Sequence, residues 1–119
     1  MKSLKRTRIV VLGFAAALLG GPVHAAFLYW SKIQVKTGTE AKCMQLAYGV
    51  ASKNLQGVKR SALEVAGSKG AVYIAITCVG RASGQNAIGV VMAVGDNGPA
   101  TSATRDLIVE KLSNTQFID

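Results

Sequence analysis

Cys43 and Cys78 carry the most reactive side chains in the sequence, and no other cysteine accompanies them. A thiol pair can supply a nucleophile, two ligands to a metal ion, or a disulfide. A structural zinc ion wants about four Cys or His ligands, at short spacings such as Cys-x-x-Cys. These two cysteines stand 35 positions apart, and the chain adds a single histidine, His24. An even count in an exported chain reads as a structural bridge. In the chain-entropy account, closing a loop of that length contributes about 3–4 kcal/mol. That is a large share of the ~5–15 kcal/mol that holds a small domain together.

The carboxylates are Glu40, Glu64, Asp96, Asp106, Glu110 and Asp119. Glycoside hydrolysis needs two of them facing each other across a cleft, roughly 5–10 Å apart. Glu40 falls where a helix cap is expected, and Asp96 falls in a tight turn. Asp106 and Glu110 are four apart on one helix face, so no pair stands out. Ser52-Lys53 and Ser68-Lys69 are neighbours in sequence, but adjacent side chains diverge on a helix and in many turns, which argues against a Ser-Lys dyad. The runs Gly67-Ser68-Lys69-Gly70 and Gly80-Arg81-Ala82-Ser83-Gly84 match neither phosphate-loop nor dinucleotide-loop spacing. They read as turns. The sequence therefore nominates no catalytic residue, no metal ligand and no cofactor.

The N-terminus explains much of the charge. Met1 to Arg8 holds four cations and no acid, and Ile9 to Leu19 is apolar. Gly20-Gly21-Pro22 then breaks any helix, and Val23-His24-Ala25 ends small-x-Ala. A basic start, a short apolar stretch and such an end are the three parts of a secretory signal peptide. The expected cut follows Ala25, leaving residues 26–119 as one domain. A retained anchor is the competing reading, because Ile9 to Trp30 holds no Lys, Arg, Asp or Glu over 22 positions, enough for the ~20 residues that span a bilayer. The interruption at residues 20–22 opposes it. Cleavage removes four of the 14 cations and the histidine, so ten cations remain against six acids, a charge of +4. Neither a Ser-His-Asp nor a Cys-His arrangement is then available. The full-chain charge of +8 loses its weight as a nucleic-acid signal. A periplasmic or secreted protein with no membrane span after cleavage is expected.

The rest of the sequence must position whatever surface does the work. Phe27, Tyr29, Ile33 and Val35 alternate over Ala26 to Lys36, which predicts a strand or a tethered arm. Thr37 with Glu40 fits a capping box. A helix is predicted from about Thr39 to Gln56, with Cys43, Leu46, Ala47, Val50 and Ala51 on its apolar stripe and Gly57 ending it. Val58 to Ala66 is a weaker strand, followed by a turn at 67–70. Ala71 to Val79 is the strongest strand, with Val72, Ile74, Ile76 and Cys78 opposite Tyr73, Ala75, Thr77 and Val79. In Ala87 to Val94, Ile88, Val90, Met92 and Val94 lie opposite Ala87, Gly89, Val91 and Ala93. The second-named set of each strand has the smaller side chains, where a helix can approach closely. Gly95 to Pro99 predicts a turn. A second helix is expected from about Thr101 to Leu112, capped by Ser102, with Ala103, Leu107, Ile108 and Leu112 inward. Thr115 to Asp119 is a candidate final strand. Short turns between the middle strands imply antiparallel pairing. The predicted class is α+β, a two-layer sandwich of two helices on an antiparallel sheet of three to five strands.

With no catalytic constellation, the reading is a small exported, non-enzymatic binding protein whose partner is another protein. Location and size also fit an inhibitor or immunity-type protein. A small hydrolase using carboxylates or a Ser-Lys pair is the enzymatic alternative. A structural, envelope-associated protein that self-assembles through its apolar strands is the third. The candidate interaction residues are Tyr29 and Trp30, of types enriched in binding hot spots, and the basic set Lys59, Arg60 and Arg81.

Overall fold

The computed structural model describes residues 26–115. The leader with its cut after Ala25 lies outside the described residues, as does the expected final strand beyond Thr115. The elements run β1 (Phe27–Val35), α1 (Glu40–Asn54), β2 (Gln56–Arg60), β3 (Val65–Lys69), β4 (Val72–Val79), β5 (Ala87–Gly95) and α2 (Gly98–Asn114). The five strands form one antiparallel sheet in the order β1-β5-β4-β3-β2. Both helices pack on the same face, α1 over β2, β3 and β4, and α2 mainly over β1 and β5. This is the two-layer α+β sandwich that the sequence pattern predicts.

Side-chain period decides which face is covered. On β4, Val72, Ile74, Ile76 and Cys78 are buried beneath the helices. On β5 the covered set is Ala87, Gly89, Val91, Ala93 and Gly95. The two small-residue sets therefore lie on opposite faces. Only the β5 set meets the helix layer; Tyr73, Ala75, Thr77 and Val79 of β4 turn away from it. The cause is register: Tyr73 pairs with Val94 and Ala75 with Met92, and paired residues share a face. Ile74, Ile76, Ile108 and Leu112 are fully buried at the centre, each worth about 1.5–3 kcal/mol in removal from water.

The first helix follows its predicted stripe, with Cys43, Leu46, Ala47, Val50 and Ala51 buried together with Met44. Its cap is Thr39 rather than Thr37: the Thr39 hydroxyl accepts from the Lys42 amide at 3.1 Å, which makes Glu40 the first helical residue. Gly57 does adopt a left-handed φ of 61°, but inside β2 and beyond the extended cap Leu55. There it serves a register shift between Gln56 and Lys59, as glycine does in bulges. The weak strand at 58–66 resolves into two, β2 and β3. Between them the Ser61 hydroxyl accepts from the amides of Leu63 and Glu64, closing a local turn.

The second helix starts earlier than predicted. Asn97 caps it, its side-chain oxygen accepting from the Ala100 amide at 2.9 Å, and Pro99 occupies the first turn, where its missing N–H costs nothing. The turn read at 95–99 is therefore the helix start. Its inward stripe contains Thr101 and Thr104 where Ala103 and Leu107 were expected. The two threonine hydroxyls donate to the carbonyls of Asn97 and Ala100 at 2.6 and 2.8 Å. These bonds remove the cost of burying a hydroxyl.

Cys43, at the start of α1, is bridged to Cys78, near the end of β4, across a Cα separation of 6.0 Å. The bond ties the helix layer to the central strand of the sheet.

Candidate functional site

The face of the sheet away from the helices carries no second layer among the described residues. Its side chains follow from the register. One row crosses all five strands: Trp30, Met92, Ala75, Ala66 and Lys59. A second row holds Leu28, Val94, Tyr73, Ser68 and Gln56. Towards the other end come Lys32, Val90 and Thr77, and then Gln34, Ile88 and Val79. Trp30 is 59% exposed, Leu28 60%, Tyr73 50% and Val79 52%. With Val94 these side chains show roughly 500 Å² to solvent, the range of the largest apolar patch on an ordinary monomer. Ile88, Val90 and Met92 are half-buried among them and extend the patch.

The face is uneven. Trp30 and Leu28 stand high at the β1 edge. Towards β2 the floor drops to Ala75 and Ala66, both nearly covered by taller neighbours. A hollow of about 280 Å³ lies there, lined by Gly57, Lys59, Ala66, Gly67, Ser68 and Tyr73. An adjoining hollow is shared by Lys59, Ala66 and Tyr73 with Glu64.

The sequence-nominated interaction residues are spread over the two faces and the β4–β5 loop. Trp30 and Lys59 share the open face, at opposite edges of the sheet. Tyr29 faces the helices, its ring parallel to Phe27 at 6.3 Å and under the Arg105 guanidinium at 5.7 Å. Arg60 lies over the Tyr48 ring of α1 at 5.8 Å. Arg81 donates from Nε to the Asn86 carbonyl at 2.6 Å and closes the β4–β5 loop. The rest of the open face, above all Tyr73, Val90 and Met92, lies on the apolar strands through which the self-assembly reading runs, but none of the three is among the nominated interaction residues. Its signal was present in the sequence as two strands apolar on both sides, which a two-layer fold cannot cover twice.

The carboxylates are dispersed. Glu40 opens α1, Glu64 precedes β3, Asp96 precedes α2, and Asp106 pairs with Arg105 at 2.7 Å. The hollow beside Glu40 and the hollow beside Glu64 each hold one carboxylate. Ser68 and Lys69 are successive strand residues and point to opposite faces. Among the described residues no three His, Cys, Asp or Glu side chains gather as a metal site would require, and no helix is long and apolar enough to cross a membrane. A further hollow, of about 310 Å³, is lined by Lys53 and Lys111 where the two helices end. Helix C-termini present carbonyl oxygens, so the lysines there complement the chain's own dipoles. Comparison with protein-family models, with curated proteins and with solved structures finds no match to this chain.

Proposed function

We propose that this is an exported, non-enzymatic binding protein and that the open sheet face is its working surface. The observation that carries the reading is the contrast between the two faces. One is sealed by both helices and a disulfide; the other exposes a contiguous set of Trp, Leu, Tyr, Met and Val side chains. A patch rich in aromatic and large aliphatic residues, with polar groups around it, has the composition of protein interfaces. The Cys43–Cys78 bridge supports an oxidising compartment, and the signal-peptide pattern of residues 1–25 supports export to the periplasm or medium. The expected partner is another protein.

The test is photo-crosslinking in the exporting cell with p-benzoylphenylalanine in place of Trp30, and in place of exposed Ala103 on α2 as the control. The reading predicts a discrete protein adduct from position 30 and none from position 103. No adduct at position 30 would refute it.

A further inference from the structure

We infer that the occupant of the open face is a second copy of this chain, packed sheet to sheet about a two-fold axis. The inference rests on the reading above and names its partner. The first argument is area. The exposed and half-buried apolar side chains, with the stems of Lys32 and Lys59, approach the ~800 Å² that each partner contributes to a standard stable interface. Sheet faces pack about 10 Å apart with their strands nearly aligned.

The second argument is shape. A two-fold axis running along β4 between the sheets reverses strand order, so β1 of one copy lies over β2 of the other. The row of Trp30, Met92, Ala75, Ala66 and Lys59 then meets itself end for end. Trp30, the high point, enters the hollow walled by Lys59, Ala66, Ser68 and Tyr73. The contact forms twice, as an isologous interface requires. The Lys59 ammonium also comes within reach of the indole face, a favourable pairing.

The third argument is charge. Lys32 pairs with Val90, and Val90 with Thr77; one step along the β3–β4 register from Val65 and Ile76 places Glu64 next in that row, with Ser61 beyond it at the β2 edge. The same axis lays Lys32 of each copy over β2 of the other, one strand spacing of about 4.8 Å to the side of Glu64 and within reach of the long lysine side chain. Edge-to-edge pairing is a poorer solution. The β2 edge is bulged and carries Lys59 and Arg60, features that discourage strand addition. Pairing two β1 edges would enlarge the apolar face without covering it.

Sedimentation equilibrium of the purified native protein tests the geometry. The wild type should dimerise. Trp30→Thr and the hollow-filling Ser68→Trp should each raise the dissociation constant at least tenfold, while Ala103→Glu on α2 leaves it unchanged. Lys32→Glu alone and Glu64→Lys alone should each weaken self-association. Mixing those two variants should restore a heterodimer, because both cross-copy pairs become opposite in sign again. A wild type that stays monomeric at every concentration overturns the inference, and so does a dimer indifferent to Trp30→Thr and Ser68→Trp. The position-30 crosslink then separates the two failures. An adduct of a mass other than twice the chain rejects the second copy and keeps the binding face; absence of any adduct rejects both.

Discussion

Tyr29 and Trp30 are neighbours in the chain and stand on opposite faces of the sheet. The Tyr29 ring stacks beside Phe27 and lies under Arg105 of α2; Trp30 pairs with Met92 on the open side. A strand period of two makes this inevitable. It also divides two residues of similar chemistry into a structural one and a surface one.

That division predicts opposite mutational behaviour. Tyr29→Thr removes ring burial and the contact with Arg105, and should cost about 1–2 kcal/mol. Trp30→Thr keeps a β-branched residue at an exposed position and should change stability by less than about 0.5 kcal/mol. Urea unfolding at high dilution, where self-association does not contribute, separates the two by their midpoints.

The bridge between Cys43 and Cys78 should contribute about 3–4 kcal/mol. The Cys43→Ala, Cys78→Ala double variant is expected to unfold at correspondingly lower urea. Both sulfurs are buried, so the native protein should show no alkylatable thiol until it is reduced after unfolding. A double variant as stable as the wild type would mean that the helix and sheet layers hold together without the bond.

Gly95 is a close-packing position. A Cβ there would overlap the Thr101 hydroxyl, and it would meet the Ala71 carbonyl and Val72 at 3.5 Å. Thr101 is fully buried and bonded to the Asn97 carbonyl, so it has little room to yield. Gly95→Ala should therefore cost roughly 1–3 kcal/mol by overpacking the start of α2. Pairing it with Thr101→Ala should recover part of that loss, and a double-mutant cycle by thermal unfolding would reveal the coupling.

The sequence made the two-layer architecture, the antiparallel sheet, the α1 stripe and the cysteine bridge legible. Each rests on a strong local signal: helical spacing of Cys43, Leu46, Ala47, Val50 and Ala51, alternation along β4, and cysteine count. What the sequence hid has physical causes. Thr101 and Thr104 look polar, yet each satisfies its hydroxyl within its own helix and so can face the core. Gly57 signals a left-handed φ without saying whether a helix end or a bulge requires it. The identity of the open face depends on register, since Tyr73 joins Val94 only through the β4–β5 pairing. Either face of β4 or β5 alone was apolar enough to be the inner one.

The chain contains one tryptophan, and it stands on the face at issue. Its emission therefore reports directly on whether that face becomes covered. Concentrating the native protein from nanomolar to millimolar should move Trp30 emission to the blue and suppress its quenching by acrylamide, in step with dimer formation. Emission that stays red, with full quenching across the whole range, would contradict the claim that a second copy seals the open sheet.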